Sequence, residues 1–427
     1  MSIQQPKGHW FWGNTKQFAS NTLGFVQDCM ANYSGVCYAK IGFKNFYLPL
    51  NAVLADHVLR QNNKNYKKSF AYAGLKVFLG NGLLTNEGQE WLAQRRLIQP
   101  AFYKESISKL TDLMLKETQE MIAQWKVEKE FSLTHHINTL TRNIITKAIF
   151  GKDLEGNKAL EALPHILASF RQYGNDKMKN PLKLPLWMPT ASNRQFKTHF
   201  RTFKALLSEA IAQRKQSPEK YQDILALFIQ LEDEEGNRMN EQQVFDEIAT
   251  LFIAGQETTS NALQFAFYLL ATHHEVKTKV KQSIVKGGEE ATKLVDACSK
   301  ESLRLYPPAW AISREAINDD VLGQVKVKKG DTVFVPIYAF HRDPSQWEQA
   351  DIFIPERFLE EYPKKYYLPF GTGPRFCIGN HFAMQEMNIV IAEVLKQLDI
   401  RLISPTKLSF TTLMTLAPKE EIRLALV

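Results

Sequence analysis

The sequence predicts a mainly α fold of the α+β kind, and three observations carry that reading. Apolar residues recur at helical spacing from Glu87 to Lys300 with few interruptions. Within that span one proline-free run of about 34 residues begins at Glu241. Short extended pieces rich in β-branched and aromatic residues lie towards both ends. The chain has 427 residues, and neither a repeat nor a low-complexity linker divides it, so residues 1–427 are expected to form a single domain.

In chain order, the segment from Gly35 to Leu50 reads as a β-hairpin. The helical stretch after Glu87 breaks at Gly151-Lys152-Asp153 and in the proline-rich segment from Pro181 to Pro189. After Pro307-Pro308 the chain turns to short strands, VKVKKGDTVFVPIYAF among them. A last helix follows Cys377, and alternating residues close the chain.

Hydrophobic residues make up 44% and charged residues 23%, which excludes disordered and fibrous classes. No apolar run approaches the ~18 residues of a membrane span, and the start MSIQQPKGHWFWGN lacks the apolar core of a signal peptide. A cytoplasmic protein without a transmembrane anchor is expected. Four cysteines without a CxxC, and no HExxH, leave neither a disulfide framework nor a zinc site. The net charge of +8 is spread along the chain, which argues against nucleic acid as a partner and fits docking of an acidic protein.

The long run starts with Asn240 as N-cap and Gln243 three residues on, a capping-box pattern. Its middle, IATLFIAG, is apolar on every side. Gly255, Gln256, Glu257, Thr258 and Thr259 then interrupt it before FAFYLL resumes. Buried glycine, carboxylate and hydroxyl groups are each unfavourable in a helix, so the pattern reads either as a helix emerging into solvent or, more sharply, as a break facing a cavity where polar groups and water meet something bound.

A second constellation is Phe370-Gly371-Thr372-Gly373-Pro374-Arg375-Phe376-Cys377-Ile378-Gly379. Glycines allow tight backbone before the cysteine. Apolar residues at 384, 387, 391, 394, 395 and 398 place a helix directly after it. A cysteine at a helix N-terminus, with Arg375 close by, favours thiolate chemistry or metal ligation. Two further patterns accompany it. Glu301 and Arg304 share a helix face and Arg357 is placed to join them, while Trp91 and Arg95 stand one turn apart as donors for an anionic ligand.

Together these motifs resemble the cytochrome P-450 superfamily of haem-thiolate monooxygenases. The resemblance covers essentially the whole chain in the family's order, and FGTGPRFCIG is its most specific part. RLYPPAW, HRDP and the PKGHWFWGN start are similar to soluble bacterial members related to fatty-acid, terpenoid and carotenoid hydroxylases. The resemblance implies a triangular helical prism with small sheets and haem b as cofactor. Cys377 would be the axial iron ligand, with N–H groups around Ile378 and Gly379 bonded to its sulfur and Phe370 packed beside it. Trp91, Arg95, Arg314 and Arg375 would hold the propionates. Glu301, Arg304 and Arg357 would lock the loop that leads to Cys377, and Glu257 with Thr258 would deliver protons for oxygen activation. Phe252, Ala254, Trp310, Ile312 and Leu413 would line a substrate pocket, along with the rest of residues 74–84, 252–254, 309–312 and 410–416.

The implied reaction inserts one atom of O2 into a lipophilic substrate, a fatty acid, terpenoid or carotenoid. Electrons would come from a separate ferredoxin or flavodoxin docking near Arg95-Arg96, and a monomer is expected. Two alternatives stay open at this point: a haem-thiolate sensor or isomerase that does not oxygenate, and a cysteine nucleophile with His381 as its base.

Overall fold

A computed structural model describes residues 4–151, 165, 166, 168–170, 172, 173, 176, 186–412 and 414–427. The architecture is mainly α with small sheets, as the sequence predicts. The anticipated hairpin is present: Val36–Ile41 pairs antiparallel with Lys44–Pro49. It forms the edge of a five-stranded sheet whose order continues through Thr332–Val335 and Ile312–Ala316 to Tyr66–Lys68. A second sheet joins Glu130–Ser132, Arg423–Leu426 and Ile400–Ser404, so the chain's last strand lies between a distant strand and a nearer one.

The long helix spans Glu241–Thr272, 32 residues, and its capping box is complete. Asn240 accepts from the Gln243 N–H at 2.9 Å, and the Gln243 side chain accepts from the Asn240 N–H at 2.8 Å. It packs on the helices Leu133–Phe150, Gly288–Leu305 and Asn380–Gln397. Every residue from Thr259 to Ala271 is buried, and in the apolar stretch IATLFIAG Ile248, Ala249, Thr250, Phe252 and Ile253 are buried while Leu251, Ala254 and Gly255 are half-buried.

Two expectations need correction. The helix does not break at Gly255: helical structure is continuous, and the Thr258 hydroxyl donates to the Ala254 carbonyl at 2.6 Å. Burial on both sides of the polar stretch outweighs its weak local propensity. The segment IYAF, read as extended, forms a helical turn at Ile337–Phe340, because Pro336 ends the preceding strand. An early helix, Thr22–Asn32, was not anticipated. The predicted break at Gly151 does end a helix, but Lys152, Asp153 and Pro181 to Pro185 lie outside the described residues.

Candidate active site

The cysteine loop is shaped by its backbone. Gly373 has φ +72°, and a Cβ there would collide with the Leu59 carbonyl oxygen, so no other residue fits without displacing that strand-linking segment. The Cys377 N–H donates to the Phe370 carbonyl at 2.9 Å and closes the loop. Asn380–Gln397 is the helix that follows. Of the four cysteines only Cys377 is exposed; Cys29, Cys37 and Cys298 are buried.

That exposure is to a cavity of about 320 Å³. Its walls are mostly apolar: Leu83, Leu84, Phe102, Ile145, Leu251, Ala254, Ala262, Leu303, Ala309, Ile312, Phe370 and Phe382 all face it. Gly255 and Thr258 of the long helix line it, and so does Cys377 with Ile378 and Gly379. A Cβ built on Gly379 would meet nothing, which leaves open space beside the sulfur. Burial pushes the Cys377 thiol up, while the Gly379 N–H and the Arg95 guanidinium act in the opposite direction. The thiolate expected from a helix N-terminus with an arginine close by thus has the Gly379 N–H and Arg95 on its side and burial against it. Cys377 lies three residues before the helix begins, and burial outweighs these two groups until a further cation, such as a metal ion, faces the sulfur.

One rim of the cavity carries Lys68, Arg95, Arg314 and Arg375. Lys68 and Arg314 are direct partners across an antiparallel strand pair, a like-charge arrangement that is destabilising by itself. Lys68 is pushed down to about 7, chiefly by burial and then by Arg375, against the pull of Glu87. Arg375 is lowered to about 10 by burial, with Arg314 adding to the effect. Its guanidinium lies 3.9 Å over the Trp91 ring and pairs with Glu87. Arg95 donates to the Phe376 carbonyl at 2.7 Å, next to the cysteine. Buried and half-buried cations crowded around an apolar slot, with an open thiol at its base, suit a flat apolar group that carries two carboxylates and a metal. The residues present thus fit haem.

Beneath the loop lies a closed charge cluster. Arg304 donates to Glu301 through Nε at 2.7 Å and Nη2 at 2.8 Å, and both residues are fully buried. Arg357 Nε donates to Glu301 at 3.1 Å, and so does the Ile354 N–H at 3.0 Å. Arg304 also donates to the carbonyls of His341 and Ala350, each at 2.6 Å. His341, which the sequence reading did not single out, continues this link. Its Nδ1 lies 3.0 Å from the Arg304 carbonyl and its Nε2 accepts the Leu368 N–H at 2.8 Å, so Nδ1 carries the proton. The histidine of HRDP was the available signal.

Other predicted residues fall differently. Glu257 is not on the cavity wall: the Thr415 hydroxyl donates to it at 2.6 Å, and Asn261 donates to Thr415 at 3.2 Å. Ala254 and Ile312 line the cavity, but Phe252 and Trp310 do not. Phe252 is turned round the helix into the core against Phe203, and Trp310 packs on Phe334. Of residues 74–84 only Leu83 and Leu84 reach the wall, and no described residue of 410–416 does. Leu413 lies outside the described residues. Lys68 and Thr415 left no motif in the sequence by which to find them.

The family model of cytochrome P450 matches residues 3–425. The chain belongs to the cytochrome P450 family. This P450 is 30% identical to cyclooctatin synthase of Streptomyces melanosporofaciens, over 93% of this chain and 89% of that protein. It is 26% identical to cyclooctat-9-en-7-ol 5-monooxygenase of the same organism, again over 93% and 89%. Cytokinin hydroxylase of Arabidopsis thaliana is 29% identical, over 88% of this chain and 77% of that one. The P450 is accordingly a monooxygenase with a haem-thiolate cofactor, using O2 and an external reductant. Among the described residues no helix is long and apolar enough to cross a membrane.

Proposed function

We propose that this P450 binds haem b and hydroxylates or epoxidises a lipophilic substrate of the fatty-acid, terpenoid or carotenoid kind. The observation that carries the reading is the exposed Cys377 sulfur at the base of a mostly apolar cavity rimmed by four cations. When bound, haem supplies the reductive activation of dioxygen. The overall balance consumes substrate, O2, two electrons and two protons, and yields the oxygenated product and water.

The chain's own residues then have separable roles. Cys377 ligates the iron, with the Gly379 N–H tuning the sulfur and Phe370 covering it. Trp91, Arg95, Arg314 and Arg375, joined by Lys68, bind the propionates. Glu301, Arg304 and Arg357 hold the loop, and His341 ties them to Leu368. Thr258 Oγ1 commits its proton to the Ala254 carbonyl, which leaves its lone pairs to hold a water in the cavity. Glu257, held aside by Thr415, must turn towards that water to pass it a proton. The apolar wall excludes bulk water and favours a long apolar substrate, with Ala254 and Ile312 among its contacts.

A separate ferredoxin or flavodoxin is the proposed electron source. Arg96 is exposed one residue from Arg95, which touches the cysteine loop, so an acidic carrier docked there would lie close to the sulfur. The test of the whole reading is the spectrum of the reduced protein with and without carbon monoxide. A strongly red-shifted Soret band, lost in Cys377→His, is expected. Well-folded protein that takes up no haem would overturn the proposal. If haem is bound, long-chain lipophiles should shift its spin state, and failure of all of them would remove the substrate class alone.

A further inference from the structure

Trp10, Phe11 and Trp12 stand together on the outside of the molecule, and Phe43 stands beside them. Trp10 is 88% exposed and Phe43 81%, while Trp12 and Phe11 are 50% and 44% exposed. The rings touch in series: Trp10 to Phe11 at 5.4 Å, Phe11 to Trp12 at 4.9 Å and Trp12 to Phe43 at 6.1 Å between centroids. Large aromatic side chains grouped in water are unfavourable unless something covers them.

This tip is held rigidly. The His9 and Gly13 backbones exchange two hydrogen bonds of 2.8 Å, closing the turn that carries the three aromatics. The Asn14 N–H donates to the Lys40 carbonyl at 2.7 Å, and the Gly42 N–H donates to the Thr15 hydroxyl at 2.7 Å. Gly13 has φ +55°, and a Cβ there would strike the Lys40 carbonyl, so the turn sits flush on the hairpin that presents Phe43. Backbone bonds on both sides thus fix the rings in their outward position.

The charge that this end of the chain carries is nearly all of one sign. Lys7, Lys16, Lys40 and Lys44 are all exposed, and the first 50 residues contain a single acid, Asp28. We propose that this tip docks the protein reversibly on an anionic lipid surface. A protein partner would need a concave mate for rings that stand this clear, whereas a headgroup layer yields to a protruding wedge. Tryptophan suits that layer, and lysines extend to its phosphates with their stems on the apolar side. Two weak signals, aromatic insertion and basic attraction, make such binding stable where either alone is marginal. The inference does not depend on the haem reading.

The experiment is co-sedimentation of the full-length holoprotein with vesicles of phosphatidylglycerol mixed into phosphatidylcholine, and with phosphatidylcholine alone. Binding to the anionic vesicles is expected. It should fall at least about tenfold in Trp10→Ala/Trp12→Ala/Phe43→Ala. Each of Lys7→Glu, Lys16→Glu, Lys40→Glu and Lys44→Glu should cost about fivefold or more on anionic vesicles and much less on neutral ones. Melting temperature and haem spectrum should not change, because these side chains are outside the core. Wild-type protein that stays in the supernatant, or an aromatic variant that binds as well as wild type, overturns the proposal. So does self-association abolished by the aromatic variant without lipid binding, which would assign the surface to a second copy of the chain.

Discussion

Acid should loosen the cysteine loop through His341. This imidazole is fully buried, donates to the Arg304 carbonyl and accepts from the Leu368 N–H. Burial lowers its pKa from 6.5 to about 3; the Arg304 carbonyl opposes that, and the Arg304 and Arg342 guanidinium groups add to it. Tyr367 covers one face of the ring at 5.5 Å. A protonated ring would lose its acceptor for Leu368 and gain a charge beside two cations. Between pH 6.5 and 3 the unfolded chain binds the proton that the folded chain refuses. The stabilising contribution is therefore complete above pH 6.5 and is lost as pH falls. At pH 4.5 the loss is about 3 kcal/mol. His341→Gln supplies a donor and an acceptor that do not titrate. Its stability at pH 7 is expected to be lower, but its decline towards pH 4.5 should be shallower than wild type by about that amount. Urea midpoints measured at both pH values for both proteins give the difference, and other titrating groups cancel in it. Parallel curves, within about 1 kcal/mol, would refute the buried neutral link.

Other consequences are as direct. Glu301→Gln leaves the fully buried Arg304 without its counter-charge and should cost about 3–5 kcal/mol in urea titrations. Gly373→Ala forces a Cβ onto the Leu59 carbonyl, so haem content should fall with little change in helical circular dichroism. Glu247 is raised to about 7, mainly by burial, with the Leu83 N–H opposing and Asp246 adding to the shift. The folded chain keeps this proton between pH 4.5 and 7 while the unfolded chain releases it, so wild type loses stability as pH rises through that window. Glu247→Gln should lack that loss and be more stable than wild type by about 1–3 kcal/mol at pH 8, with no such advantage at pH 4.5.

Local signals made much of this legible in advance. Asn240 and Gln243 marked the start of the long helix because capping is a four-residue affair. The glycines before Cys377 signalled an unusual loop, and Gly373 has the positive φ such spacing suggests. What the sequence hid depends on pairing across the chain. Lys68 becomes part of the site only because Tyr66–Lys68 lies against Ile312–Ala316. Thr415 reaches Glu257 from a strand connection 158 residues away. Phe252 and Trp310 went astray for another reason: an apolar side chain suits a cavity wall and a packed core equally well. The predicted break at Gly255 failed because a glycine and two threonines weaken a helix by far less than burial of the flanking turns holds it.

The two charge clusters near Cys377 differ in kind, and the difference couples cofactor to fold. Glu301, Arg304 and Arg357 lie under the loop, and several hydrogen bonds within the protein meet the Glu301 carboxylate. Their contribution does not wait for a ligand. Above the loop, half-buried Lys68 and Arg375 share one carboxylate, Glu87, while buried Arg314 donates to the Ser313 carbonyl, and burial weakens the charged form of Lys68 and Arg375. An incoming dicarboxylate would restore the charged form of Lys68 and relieve repulsion between like-charged neighbours on paired strands. Because that relief exists only in the folded chain, binding and stability must rise together. On the proposed haem reading, the lower cluster would hold the loop's shape without a ligand, and the upper one would make the occupied state the more stable of the two.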